Sequence, residues 1–115
     1  MKVASIDCHP NGLPRTLSAE DAQEQVRELA GEGGRIAWKQ HAYDRLEERE
    51  ITATQVINVL KRGKVVEAPQ WDVNYQNWKF GVQEISAGEL LTVRVALDVE
   101  RLMGKVVLVI TAYIK

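Results

Sequence analysis

The run His41-Ala42-Tyr43-Asp44-Arg45-Leu46-Glu47-Glu48-Arg49 concentrates the side chains best suited to chemistry. On a helix turning about 100° per residue, His41, Arg45 and Arg49 stand at successive i+4 positions on one side. Trp38, Ala42 and Leu46 share that side or lie directly beside it, while Asp44, Glu47 and Glu48 point mostly elsewhere. Two guanidinium groups and an imidazole on a stripe that should face a sheet are costly unless each charge finds a partner. One reading is a cationic cluster held over a groove for a phosphate or a carboxylate. The other is structural: Arg45 and Arg49 snorkel past the stripe to Glu48, Glu50 or a helix end, and His41 is a satisfied core histidine.

A second group lies on strands. Lys79 alternates with Trp78 and Phe80, and Arg94 alternates with Val93 and Val95. Both cations therefore leave the face that carries the Trp and Val side chains. They are either ordinary strand exteriors or, with Tyr113, the lining of a concave working surface. Alternation does not choose between the two. Trp71, Tyr75 and Trp78 surround the polar segment Asp72-Val73-Asn74, where aromatics beside basic residues can stack on bases or simply close the edge of a core. Cys8 and His9 are two metal ligands, too few for a site. The chain has no phosphate-binding Walker loop, dinucleotide glycine fingerprint, His-Glu-x-x-His or nucleophile elbow, so no metal or other cofactor is expected.

The elements that must position these residues fit one domain, since 115 residues leave no room for two. Hydrophobic residues at 45% and charged residues at 27% exclude disordered and fibrous classes. The formal charge of -1 excludes bulk electrostatic binding of nucleic acid, although residues 51–115 are net basic and residues 1–50 net acidic. DNA is not an expected partner. A single cysteine, the absence of a long apolar stretch and the lack of a signal peptide lead to the expectation of a reduced, cytoplasmic protein with no membrane contact.

Residues 1–16 read as an irregular arm, or as one short strand (Val3–Ile6) followed by turns, and residues 17–115 as the domain. Ser18 caps a first helix that the glycines at 31, 33 and 34 stop. Arg35-Ile36-Ala37-Trp38 reads as an extended lead-in to a second helix over 40–48. A third helix has the fullest local grammar: Thr52 as cap, Gln55 completing a capping box, Ile51 stapled to Val56, and Gly63 at the end. After Gly63 the period changes from 3.6 to 2. Strands are expected over 64–68, around Trp78–Val82, over Leu91–Leu97 and over 105–113, with a turn at Ser86-Ala87-Gly88 and a longer hairpin loop over Asp98–Gly104. Val93, Val95, Val107 and Val109 should be core, and Thr92 and Arg94 should not. The order predicts an α+β fold: three N-terminal helices packed on a four-stranded antiparallel sheet.

The run Ile36-x-Trp38-x-x-His41-Ala42-x-x-Arg45-x-x-Glu48-Arg49-x-Ile51 resembles a small bacterial family known as domain of unknown function 4258. The likeness continues through Val56-x-x-Val59-Leu60-x-x-Gly63, Val65-Val66-Glu67, Trp78-x-x-x-Val82 and Val107-x-Val109-Ile110-Thr111, and spans residues 18 to 113. That family is similar to the RelE, BrnT and MqsR toxins of toxin-antitoxin systems, which set helices over a small antiparallel sheet in the microbial-ribonuclease style. The resemblance implies metal-independent RNA cleavage, RNA or the ribosome as target, and an antitoxin protein as partner. It implies His41 as general base or acid, Arg45 and Arg49 as phosphate holders, Lys79 and Arg94 as further phosphate contacts, and Trp78 or Tyr113 as a stacking surface. The alternative is a non-enzymatic adaptor whose arginines hold an acidic peptide or protein partner.

Overall fold

The structure, a computed structural model, describes residues 8–31, 35–100, 102 and 104–114. The expected strand Val3–Ile6 lies outside these residues. Among them the elements run α1 (Ala19–Gly31), β1 (Ile36–Trp38), α2 (Gln40–Glu48), α3 (Ala53–Arg62), β2 (Lys64–Asp72), β3 (Asn77–Ser86), β4 (Glu89–Glu100) and β5 (Gly104–Ile114).

The helices begin and end where local side chains satisfy their free backbone groups. Ser18 Oγ accepts the Asp21 N–H at 3.0 Å to open α1. Thr52 Oγ1 accepts the Gln55 N–H at 3.1 Å, and Gln55 Oε1 accepts the Thr52 N–H at 2.8 Å, a complete capping box for α3. At the end of α2 the Ile51 N–H reaches the Leu46 carbonyl at 2.9 Å and the Glu50 N–H reaches that of Glu47 at 3.2 Å. This is the double bond of a Schellman ending, with buried Leu46 and Ile51 in apolar contact range across it. Where α3 gives way to β2 only glycine fits. A Cβ on Gly63 would stand 2.6 Å from the Val59 carbonyl oxygen and 2.7 Å from that of Gln83.

The sheet has five strands in the order β1-β5-β4-β3-β2, with β1 parallel to β5 and every other pair antiparallel. This mixed sheet corrects the four-stranded antiparallel expectation. The lead-in Ile36–Trp38 is itself a strand, registered on Val107–Val109. Three residues are too few to show a period, and their partner lies about seventy residues further along the chain, so only tertiary pairing makes them a strand. β2 also runs on to Asp72 rather than ending at Ala68, and β4 runs to Glu100, so that little of the expected Asp98–Gly104 loop remains.

The helices pack on one face of the sheet, where Phe80, Val82, Leu91, Val93, Val95, Leu97, Val107 and Val109 form one cluster with Val26, Leu46, Val56, Val59 and Leu60. The four valines expected in the core are there. Thr92 is a correction: it faces away from the helices but is only 1% exposed, because Gln83 covers it and donates to its Oγ1 at 2.8 Å. No described helix is long and apolar enough to cross a membrane.

An arm over residues 8–15 closes one end of the helix-side core. Leu13 is fully buried, Pro14 accepts the Trp78 indole N–H at 2.9 Å, and His9 stacks flat on Trp71 with 3.6 Å between ring centres.

Candidate active site

Among the described residues no helix covers the opposite face of the sheet, and two β-bulges decide what that face displays. Val65 pairs with Val82 on the helix side. Strict alternation would keep Glu67 on that side too. A bulge between them turns Glu67 to the open face, opposite Gly81. In β5, Val109 pairs with Val95 but Thr111 pairs with Arg94, so Ile110 is an extra residue. Beyond it Ala112 joins the core, while Thr111 and Tyr113 turn to the open face.

The result is a carboxylate held from two sides. Arg94 Nη1 donates to Glu67 Oε1 at 2.5 Å, and the Tyr113 hydroxyl donates to Glu67 Oε2 at 3.1 Å. The ion pair is partly open to solvent, with about a third of each side chain exposed: 38% for Arg94 and 36% for Glu67. Gly81 lies directly beneath, and a Cβ there would come 2.6 Å from Glu67 Oε1. Burial, then the hydrogen bond to Glu67 and its negative charge, raise the Tyr113 phenol above its ordinary 10.0, with Arg94 acting in the opposite sense. Tyr113 therefore keeps its proton at neutral pH.

Along the same face lies a cleft of about 290 Å³ lined by Gln70, Trp71, Asp72, Val73, Lys79 and Arg94. Lys79 Nζ donates to Asp72 Oδ2 at 2.6 Å and to Asn77 Oδ1 at 3.2 Å. The Lys79 bond and the Tyr75 N–H hold the Asp72 carboxyl below its ordinary 3.8.

The structure thus brings Lys79, Arg94 and Tyr113 to one face of the sheet, with Lys79 and Arg94 lining the cleft and Tyr113 bonded to Glu67 beside it. Trp78 is not on it. Its ring is 7% exposed and belongs to the helix-side core. His41 is exposed and Arg45 half-buried on α2, and no hydrogen bond or ion pair holds either among the described residues. Arg49 is engaged: its Nη1 donates to the Ala112 carbonyl at 2.7 Å and lies 3.3 Å from Thr111 Oγ1. β1 ends opposite Val109, so β5 has a free backbone edge beyond it, and Arg49 caps that edge. Among the described residues neither His41 nor Arg45 shares these contacts of Arg49 with β5.

Glu67 is the residue that sequence reasoning missed. Its signal was Gly81, a glycine inside a strand of bulky residues, which marks the close approach of another group. Among the described residues no three His, Cys, Asp or Glu side chains gather as metal ligands.

No curated protein and no solved structure matches the chain significantly. The family model of a domain of unknown function, DUF4258, matches residues 38–114, a span that runs from the last residue of β1 to the end of β5 and takes in every residue of the open-face site. With two thirds of its length covered by that match, the chain belongs to the DUF4258 family.

Proposed function

We propose that the protein is a metal-independent endoribonuclease of the RelE-like toxin kind, neutralised by an antitoxin protein, and that Glu67, Arg94 and Tyr113 carry the chemistry. The observation that carries this reading is the Glu67 carboxylate with a guanidinium on one oxygen and a protonated phenol on the other. RNA supplies its own nucleophile, so cleavage needs a base, a cation for the phosphate and an acid for the leaving oxygen. Glu67 takes the proton of the 2′-hydroxyl as its oxygen bonds to phosphorus. Arg94 neutralises the charge on the phosphoryl oxygens. Tyr113 gives its proton to the departing 5′-oxygen and regains one from Glu67 through the hydrogen bond that joins them. The products are a 2′,3′-cyclic phosphate and a free 5′-hydroxyl.

The test is cleavage of single-stranded RNA, free and on ribosomes, with a chelator present. Wild type should yield cyclic phosphate ends. Glu67→Gln should lose about two to four orders of magnitude in rate, the usual worth of a general base. Arg94→Lys, which keeps the charge and loses the fork, should be strongly impaired. His41→Ala and Arg45→Ala serve as the comparison set: if they silence cleavage and Glu67→Gln does not, the chemistry belongs to α2. Dependence on a divalent ion would remove the mechanism. An intact fold with no cleavage in any setting would favour the adaptor reading.

A further inference from the structure

The β2–β3 turn presents an aromatic ring that the core does not use. Tyr75 is 63% exposed, yet two ammonium groups lie over its ring: Lys79 Nζ at 4.5 Å and Lys39 Nζ at 5.0 Å from the centroid. Lys39 follows β1 and Tyr75 follows β2, the two edge strands of the sheet. Their side chains meet beside Lys79. The backbone of the turn is preset, because Asp72 Oδ1 accepts the N–H groups of Asn74 at 2.9 Å and Tyr75 at 3.1 Å.

The neighbouring aromatics are already occupied. Trp71 has His9 stacked flat on it and the edge of Trp78 against it, and the Trp78 indole N–H is bonded to Pro14. Tyr43, the other exposed ring among the described residues, stacks on Trp38. Tyr75 is the ring left for a ligand beside the cleft that Lys79 and Arg94 line.

We infer that Tyr75 is a stacking platform for a nucleobase of single-stranded RNA, and that Lys39 and Lys79 hold the phosphates on either side of that base. The inference rests on the ribonuclease reading and gives it a substrate subsite. A base stacked on an exposed ring is worth more than an ammonium over the same ring. The incoming base therefore displaces a lysine from the ring and leaves that ammonium beside the phosphate. Lys79 and Arg94 sit on the same face of paired strands, with Gly81 opposite Arg94 and Lys79 two residues away. A strand advances about 7 Å over two residues, close to the spacing of successive phosphates in an extended single strand. The platform thus binds the nucleotide next to the one being cut.

The test uses the Glu67→Gln protein, so that RNA binds without being cut, and follows a short end-labelled single-stranded oligoribonucleotide by fluorescence anisotropy. Tyr75→Phe should bind within about twofold of its parent, whereas Tyr75→Ala and Tyr75→Leu should weaken binding roughly five- to hundredfold, the range for loss of one stacked base. Lys39→Met should weaken binding and flatten its salt dependence. Far-ultraviolet circular dichroism checks that each variant is folded. If Tyr75→Ala binds as tightly as the parent while wild type still cleaves RNA, the platform is overturned and the ribonuclease reading stands. If neither binding nor cleavage is seen with folded protein, both fall. If Tyr75→Leu binds as well as Tyr75→Phe, the ring acts as apolar cover rather than as a stacking surface, which also overturns the inference.

Discussion

At the scale of single residues the site depends on one absent side chain. Glu67 can lie flat under Arg94 only because Gly81 has no Cβ, which would stand 2.6 Å from the carboxylate oxygen and 3.1 Å from Glu67 Cβ. Gly81→Ala should therefore push Glu67 off its two partners. The expected outcome is a loss of at least about tenfold in RNA cleavage, from misplacing a base worth two to four orders of magnitude, with the fold retained in a melting curve. An unchanged rate would show that Glu67 is not held for chemistry. Tyr113 gives a prediction with a sign. Its phenol is raised above 10.0 in the folded protein, so its contribution to stability is complete below that value and is lost as pH rises through the folded one. Melting temperatures measured from about pH 9 to 11 should fall more steeply for wild type than for Tyr113→Phe. Parallel curves would place the phenol in an ordinary environment.

At the scale of elements, what the sequence makes legible is what is written locally. The α3 capping box involves Thr52 and Gln55 alone, three residues apart, and its geometry is the expected one. Thr52→Ala should cost about 1 kcal/mol by thermal or denaturant unfolding, since it leaves the Gln55 N–H without its acceptor. A stability unchanged by the substitution would show that solvent serves the helix end equally well. The strands are a different matter. Arg94 and Lys79 could be placed on one face from alternation, but Glu67 and Tyr113 could not. The extra residues that turn them outward sit between Val65 and Glu67 and at Ile110, inside β-branched runs that read as unbroken. A bulge is fixed by the register of the neighbouring strand, and no residue near it in sequence announces it. β1 was hidden for the same reason, because its partner is the far end of the chain. The ladder of His41, Arg45 and Arg49 was legible as a ladder. What each would touch was not, and Arg49 proves to hold the backbone edge of β5.

At the scale of the whole molecule, a chain with a formal charge of -1 cannot draw RNA by its overall field. The open face offers Lys39, Lys79 and Arg94 against the carboxylates of Asp72, Glu67 and Asp98, the last accepting from the Asn77 amide beside Lys79, so its local charge is balanced. Binding should therefore be modest and short-ranged. The logarithm of the affinity for single-stranded RNA should fall against the logarithm of salt with a slope no steeper than about -2, since three cations at roughly 0.7 ions each set the ceiling. A slope near zero would remove the phosphate contacts. A much steeper one would mean that the RNA runs on over cations elsewhere.

The irregularity of β2 has a consequence of another kind. This strand is one border of the sheet, and apart from the Val65 N–H, which Gln23 Oε1 accepts at 2.9 Å, its outward backbone groups can zip onto a stranger. Two interruptions of register and Pro69, which has no N–H to offer, break that border into short stretches. The kinks that aim Glu67 at its partners thus also deny a template for fibril growth. A variant straightened for stability, with the bulge residue removed and Pro69 replaced by valine, should lose its carboxylate from the open face and become prone to polymerise through the same strand.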